Sequence, residues 1–472
     1  MTAGASTAER LRQFLREMSP AARAMLLREF ERGTISGENF PGFELILDEL
    51  RQLQRSEEVK SAPQTRIEGL DRRLFQPLVP FLVDEESAEK MRGRIARSSL
   101  ANIWTWVQRD LMPDEIRMRA DKLSAAISQE NADEAHKLTA EFQNRFVAET
   151  EKVLKENTSD RKTRQKLVSQ LGGENVLDDL LDVIAILKIR EALSALSQRM
   201  PPQIKNLAEN DLQAIRSLFE HPAVHRPSVF PYALALLFSR LAFPPQILRL
   251  AVAAAETDSA PRIAETSYAF AVDLVVDEIA RQAARLPVCL RARATAEVCS
   301  SIKKFHDYSR ALTTELDVSV DTRWTKRLAQ LRTEVAGLLR SKIDGLPGQV
   351  RRMLRPRKKE EIASGSGLDQ HEVSDIENAL EILGACRLNA GEIALNEITL
   401  RLSSELETCL DNATQALLES IRQASDSDRP FRQSQLDAAV RFSAKVFGKR
   451  YAELLSKAAG VAIQGERRAA QG

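Results

Sequence analysis

Cysteine, aromatic residues, glycine and proline are all scarce in this chain, and each scarcity excludes something. Four cysteines in 472 residues, Cys289, Cys299, Cys386 and Cys409, exclude a disulfide scaffold. None of them forms a C-x-x-C pair, so they read as small core residues of a protein in reducing cytoplasm. Aromatics make up 5%, and no β-branched or aromatic run of useful length occurs, which argues against sheet. The best strand candidate, Leu316 to Val320, is short and flanked by helical stretches. Net charge is +1, from 68 basic and 67 acidic side chains. No long-range field therefore draws the whole chain to nucleic acid or an anionic bilayer. The longest charge-free apolar stretch, 227–239, has 13 residues, short of the ~20 that span a bilayer. The N-terminal sequence also lacks the basic-then-apolar order of a signal peptide.

What is abundant is helix-forming. Leu, Ala, Glu, Arg, Lys and Gln dominate, and these lose little side-chain freedom in a helix. With 43% hydrophobic and 29% charged residues, the composition is globular. The length suggests about two to four domains. The expected fold is all-α: an array of helical hairpins and bundles ending in a coiled-coil-like unit.

Five segments are expected. Residues 1–60 form an N-terminal helical unit, with Ser19 and Pro20 opening its second helix. Residues 61–202 form a bundle. In it Leu100, Ile103, Trp104, Val107 and Leu111 make one apolar face, while Trp106 falls off the stripe. Gly172 and Gly173 form a joint, and a continuous helix is expected over 175–200. Residues 203–345 form a core of Pro-punctuated hairpins. Residues 346–372 mix Pro, Gly, Ser and dense charge, the composition of a basic linker. Residues 373–472 form an acidic hairpin with a basic amphipathic tail.

The last unit carries the most distinctive pattern. Leu395, Ile398, Leu402, Leu406, Leu410, Leu417 and Ile421 recur at three- and four-residue spacing along one helix. A narrow seam of this kind favours pairing with one neighbouring helix or with a second copy of the chain. Between Glu361 and Arg429 there are 14 acidic and 4 basic residues. Before them stand Arg351, Arg352, Arg355, Arg357, Lys358 and Lys359, and after them Arg441, Lys445 and Lys449.

Catalytic signals are thin. Asp178-Asp179-Leu180-Leu181-Asp182 matches D-D-x-x-D and resembles the Mg²⁺-binding segment of all-α isoprenoid synthases. The resemblance covers five residues and lacks their second acidic motif, and three aspartates near a helix N-terminus also suit the macrodipole. His221 and His225 have ligand spacing, but Pro222 and Pro227 favour a loop. Ser301-Ile302-Lys303-Lys304 contains S-x-x-K without its companion motifs. No phosphate-binding glycine loop is present. No cofactor follows from these residues.

Three functions follow in order. The first is a non-catalytic cytoplasmic scaffold acting through protein partners and self-association along the leucine seam. The second is an all-α enzyme with Mg²⁺ at Asp178, Asp179 and Asp182. The third is a membrane-surface or nucleic-acid adaptor using the basic linker and tail.

Overall fold

The computed structural model describes residues 69–84, 90–157, 161–357, 362, 367–425 and 427–469, with Leu26 alone before them. The expected N-terminal unit, the linker after it, and Lys358 and Lys359 lie outside the described residues. The protein is all-α. The described extended backbone is one parallel pair, β1 (Leu82–Val83) with β2 (Ile95–Ala96), and two isolated bridges. One bridge joins Asp317, within the best strand candidate, to Ser259. No described helix is long and apolar enough to cross a membrane.

The chain divides into two compact units: 1–79 with 99–180, and 80–98 with 181–472. In the first, α1 (Arg97–Trp106) continues into a π-helical turn over Val107–Leu111. Helices α2 (Pro113–Ser128), α3 (Ala132–Asn157) and α4 (Arg161–Leu171) follow. The π turn explains Trp106. An extra residue per turn advances the buried face, so Trp106 and Val107 are both buried side by side. Trp104 packs edge-on to Phe75 and Phe142. At the glycine joint, Gly172 and Gly173 take φ of 96° and 158°. Both amides donate to Val168 O, closing α4.

The continuous helix expected over 175–200 is broken. Helices α5 (Glu174–Lys188) and α6 (Arg190–Arg199) meet at Ile189, where the Arg190 side chain donates to Leu187 O at 2.7 Å. In the second unit follow α7 (Glu209–Glu220), α8 (Phe230–Arg240), α9 (Ile247–Ala255) and α10 (Ala260–Ala264). Helix α11 (Ala269–Arg291) is the hub. It is apolar on more than one face, burying Val272, Leu274, Val275 and Ile279 among others, and α8, α9, α12 (Thr295–Glu315) and α13 (Arg323–Ile343) pack around it. Thr322 and Thr325 form a reciprocal capping box that starts α13. Trp324 Nε1 donates to Asp273 at 2.6 Å and pins that end to α11.

The expected linker is partly helix. Residues 346–354 form α14 (Leu346–Leu354), which buries Leu346, Val350, Met353 and Leu354. Its charged composition concealed an apolar stripe at i, i+4 and i+7. Helices α15 (Gln370–Leu388), α16 (Asn396–Arg422), α17 (Arg429–Val446) and α18 (Lys449–Ala469) complete the unit.

Candidate functional site

Helix α16 spans 27 residues, and its two sides do different work. The leucine seam faces inward. Leu395, Leu402, Leu406, Leu410, Leu417 and Ile421 are buried and Ile398 is half-buried. Helices α14, α15, α17 and α18 all pack on α16, so the seam meets several helices of its own chain. Each buried leucine stabilises the unit by about 1.5–3 kcal/mol. The side chains expected to mediate self-association are thus covered by helices of the same chain.

The other side of α16 lines a groove of about 690 Å³. Arg401, Ser404, Thr408 and Asn412 recur along it at three- and four-residue spacing, with Ala413 and Ala416 beyond. The opposite wall is the end of α14 and the turn after it: Arg351, Leu354, Arg355 and Pro356. Gln435 of α17 holds this wall. Its buried amide Nε2 donates to Met353 O and Arg355 O, both at 2.9 Å. Carbonyls at the end of α14 thus find a partner where the helix offers none. The Arg357 guanidinium lies 4.9 Å over the Phe431 ring. Arg401 donates to Asp344 at 3.0 Å and lies 3.8 Å from Glu405.

The sequence-predicted cations fall in different places. Arg351 and Arg355 are exposed on the groove wall. Arg352 points to Glu372 at 3.3 Å. In the tail, Arg441 Nε donates to Glu377 at 2.6 Å and Lys445 to Glu381 at 2.6 Å. Both pairs have i, i+4 spacing on α17 and on α15, so they form a two-rung ladder. Two cations of the basic stripe, Arg441 and Lys445, are thus matched by carboxylates of their own unit, while Lys449 is exposed.

The aspartate motif does not assemble a metal site. Asp182 is buried and accepts from Tyr232 at 2.8 Å and from Gly93 N at 2.9 Å, with Lys90 Nζ at 2.8 Å. Burial and the neighbouring Asp182 carboxylate push the Tyr232 hydroxyl far up in pKa, so it stays a donor. Asp179 is buried and partnered and Asp178 is half-buried. Among the described residues no group of three or more His, Cys, Asp or Glu is placed to hold a metal ion. His221 and His225 lie in a loop, where the His221 ring accepts from Ala223 N and His225 packs on Phe230. Ser301 is buried while Lys304 is exposed, and Lys303 pairs with Asp307.

Sequence reasoning missed the polar side of α16. Ser404, Thr408 and Asn412 sit between the leucines and read as an ordinary solvated face. It also missed a buried ionic cluster. Arg94 pairs with Glu278 and lies 3.5 Å from Asp277, which meets Arg281 at 2.8 Å. Burial raises the Asp277 carboxyl above its ordinary range, against the pull of Arg281.

No family model, curated protein or solved structure matches this chain.

Proposed function

We propose that the protein is a non-catalytic helical adaptor acting through protein–protein contacts, with the groove along α16 as its contact surface. The form of the groove carries this reading. It runs open along one helix, whereas small-molecule pockets enclose most of their ligand. Its lining offers one carboxylate, Glu405, beside Arg401, and no histidine. A cytoplasmic setting fits the free thiols of all four cysteines. Self-association belongs to the same reading, through a surface other than the buried leucine seam. The Mg²⁺ reading loses support because the oxygens of Asp182 are committed to Tyr232, Gly93 and Lys90.

The test is affinity purification of the full chain from its native cells, wild type beside Ala416→Trp. Ala416 is exposed on the groove, so tryptophan there fills the space without entering the core. A stoichiometric protein companion is expected with wild type and is expected to be lost from the variant. A companion retained by Ala416→Trp, or none with either protein, overturns the proposal. Light scattering of the purified chain measures the mass of any self-assembly.

A further inference from the structure

We propose that a second cavity, between the α11–α12 corner, the last turn of α13 and the first half of α15, binds a phosphate dianion, with Arg291, Arg293 and Lys342 as its cations. This cavity shares no residue with the α16 groove, and the proposal does not depend on the adaptor reading.

Charge selects an anion. Arg291 and Arg293 line the cavity from the corner, Thr295 from the first position of α12, Lys342 from the end of α13, and Asp375 and Asn378 from α15. Arg293 Nη1 meets Asp375 at 3.0 Å. Among the described residues Arg291 and Lys342 have no ion-pair partner, so two positive charges of the lining are unmatched. Glu297, the acid in the first turn of α12, is not part of the lining. The helix adds to the field. Thr295 places the start of α12 at the cavity, that start has no side-chain cap, and a helix of 21 residues carries partial positive charge there.

Size and geometry narrow the anion to phosphate. The cavity measures about 110 Å³, the space of a few waters at ~30 Å³ each. Sites for drug-sized ligands begin at about 300 Å³, so a nucleotide is too large. The donors come from three separate segments, which suits a tetrahedral anion. A planar carboxylate is satisfied by a single arginine fork. Asp375 supplies an acceptor within the lining. The protonated oxygen of hydrogen phosphate can donate to it, whereas sulfate has no proton to give.

The experiment is isothermal titration of the full chain with inorganic phosphate at slightly alkaline pH, where the dianion dominates, at ionic strength held constant with chloride. Saturable phosphate binding is expected, with sulfate about tenfold weaker. Arg291→Ala and Lys342→Ala are each expected to weaken phosphate about tenfold. Lys457→Ala, on α18, is expected to leave it unchanged. All three side chains are exposed, and circular dichroism checks that each variant folds. Asp375→Ala is expected to bring sulfate up toward phosphate. A short phosphoserine peptide separates the sources of the phosphate. Tighter binding than inorganic phosphate assigns the site to a protein-borne phosphate, weaker binding to the free ion, and both support the site. No saturable phosphate binding in the wild type overturns the proposal, as does an affinity that Arg291→Ala and Lys342→Ala leave unchanged. Sulfate binding as tightly as phosphate overturns the choice of ion.

Discussion

Two sets of ion pairs in the second unit use the same residue types under opposite conditions. Arg94, Asp277, Glu278 and Arg281 lie in the helical core, with Arg281 3% and Asp277 8% exposed. Arg441 and Lys445 meet Glu377 and Glu381 on the surface, where Lys445 and Glu381 are 39% and 43% exposed. Water screens the second set and strongly hydrates each ion when its partner leaves. Little solvent reaches the first, where Arg94 and Glu278 are 11% and 16% exposed, so each charge depends more on its partners. The buried set ties the segment around Arg94 to α11, and it also places the Arg94 guanidinium 5.3 Å from the Phe238 ring. The surface ladder aligns α17 on α15 and pairs Arg441 and Lys445 of the basic stripe with carboxylates.

Four measurements sharpen that contrast, in falling order of effect. Arg94→Ala leaves Glu278 and Asp277 short of a buried partner and is expected to destabilise by about 3–5 kcal/mol; a loss under about 1 kcal/mol in urea unfolding would show that water enters the cluster. Tyr232→Phe removes one donor from the buried Asp182 and is expected to cost about 1–3 kcal/mol by the same measurement.

Asp428 is intermediate. The Ser425 hydroxyl and Arg432 draw its carboxyl down from 3.8 to about 2. A carboxyl depressed in the folded state adds stability above its unfolded pKa and loses it as pH falls through the folded one. The thermal stability gap between wild type and Asp428→Asn is therefore expected to be full above pH 3.8 and to close toward pH 2. A gap that is constant with pH would assign the effect to packing. The surface ladder gives the smallest effect. A double-mutant cycle of Lys445→Ala and Glu381→Ala is expected to give a coupling below about 1 kcal/mol that fades with salt. A coupling that salt leaves untouched would contradict the surface assignment.

Much of the helical framework was legible before any coordinates. The seam from Leu395 to Ile421 gives α16 its length because apolar spacing of three and four is itself the signature of a buried helix face. The apolar stretch from Pro227 likewise becomes α8, with Phe230 to Phe238 almost wholly buried. Helix α14 was illegible because arginines at 351 and 352 interrupt its short stripe, and composition alone then favours a linker. The break at Ile189 also left no mark, since no proline or glycine causes it. Of the groove, the arginines at 351 and 355 were visible as charge. Their apposition to Arg401, Ser404 and Thr408 was not, because some 50 residues separate the two walls.

Local physics in the chain determined where helices form, which side of each is apolar, and that sheet has little place. Those are consequences of neighbouring residues, and a linear sequence states them directly. Tertiary structure alone decided what each face meets: that the leucine seam is consumed within the chain, that the buried Asp182 accepts from Tyr232 and Gly93, and that two distant polar stretches face each other across a groove. Such outcomes depend on packing between residues far apart in sequence, where the partner of a side chain is set by the whole arrangement and by nothing in its own surroundings along the chain.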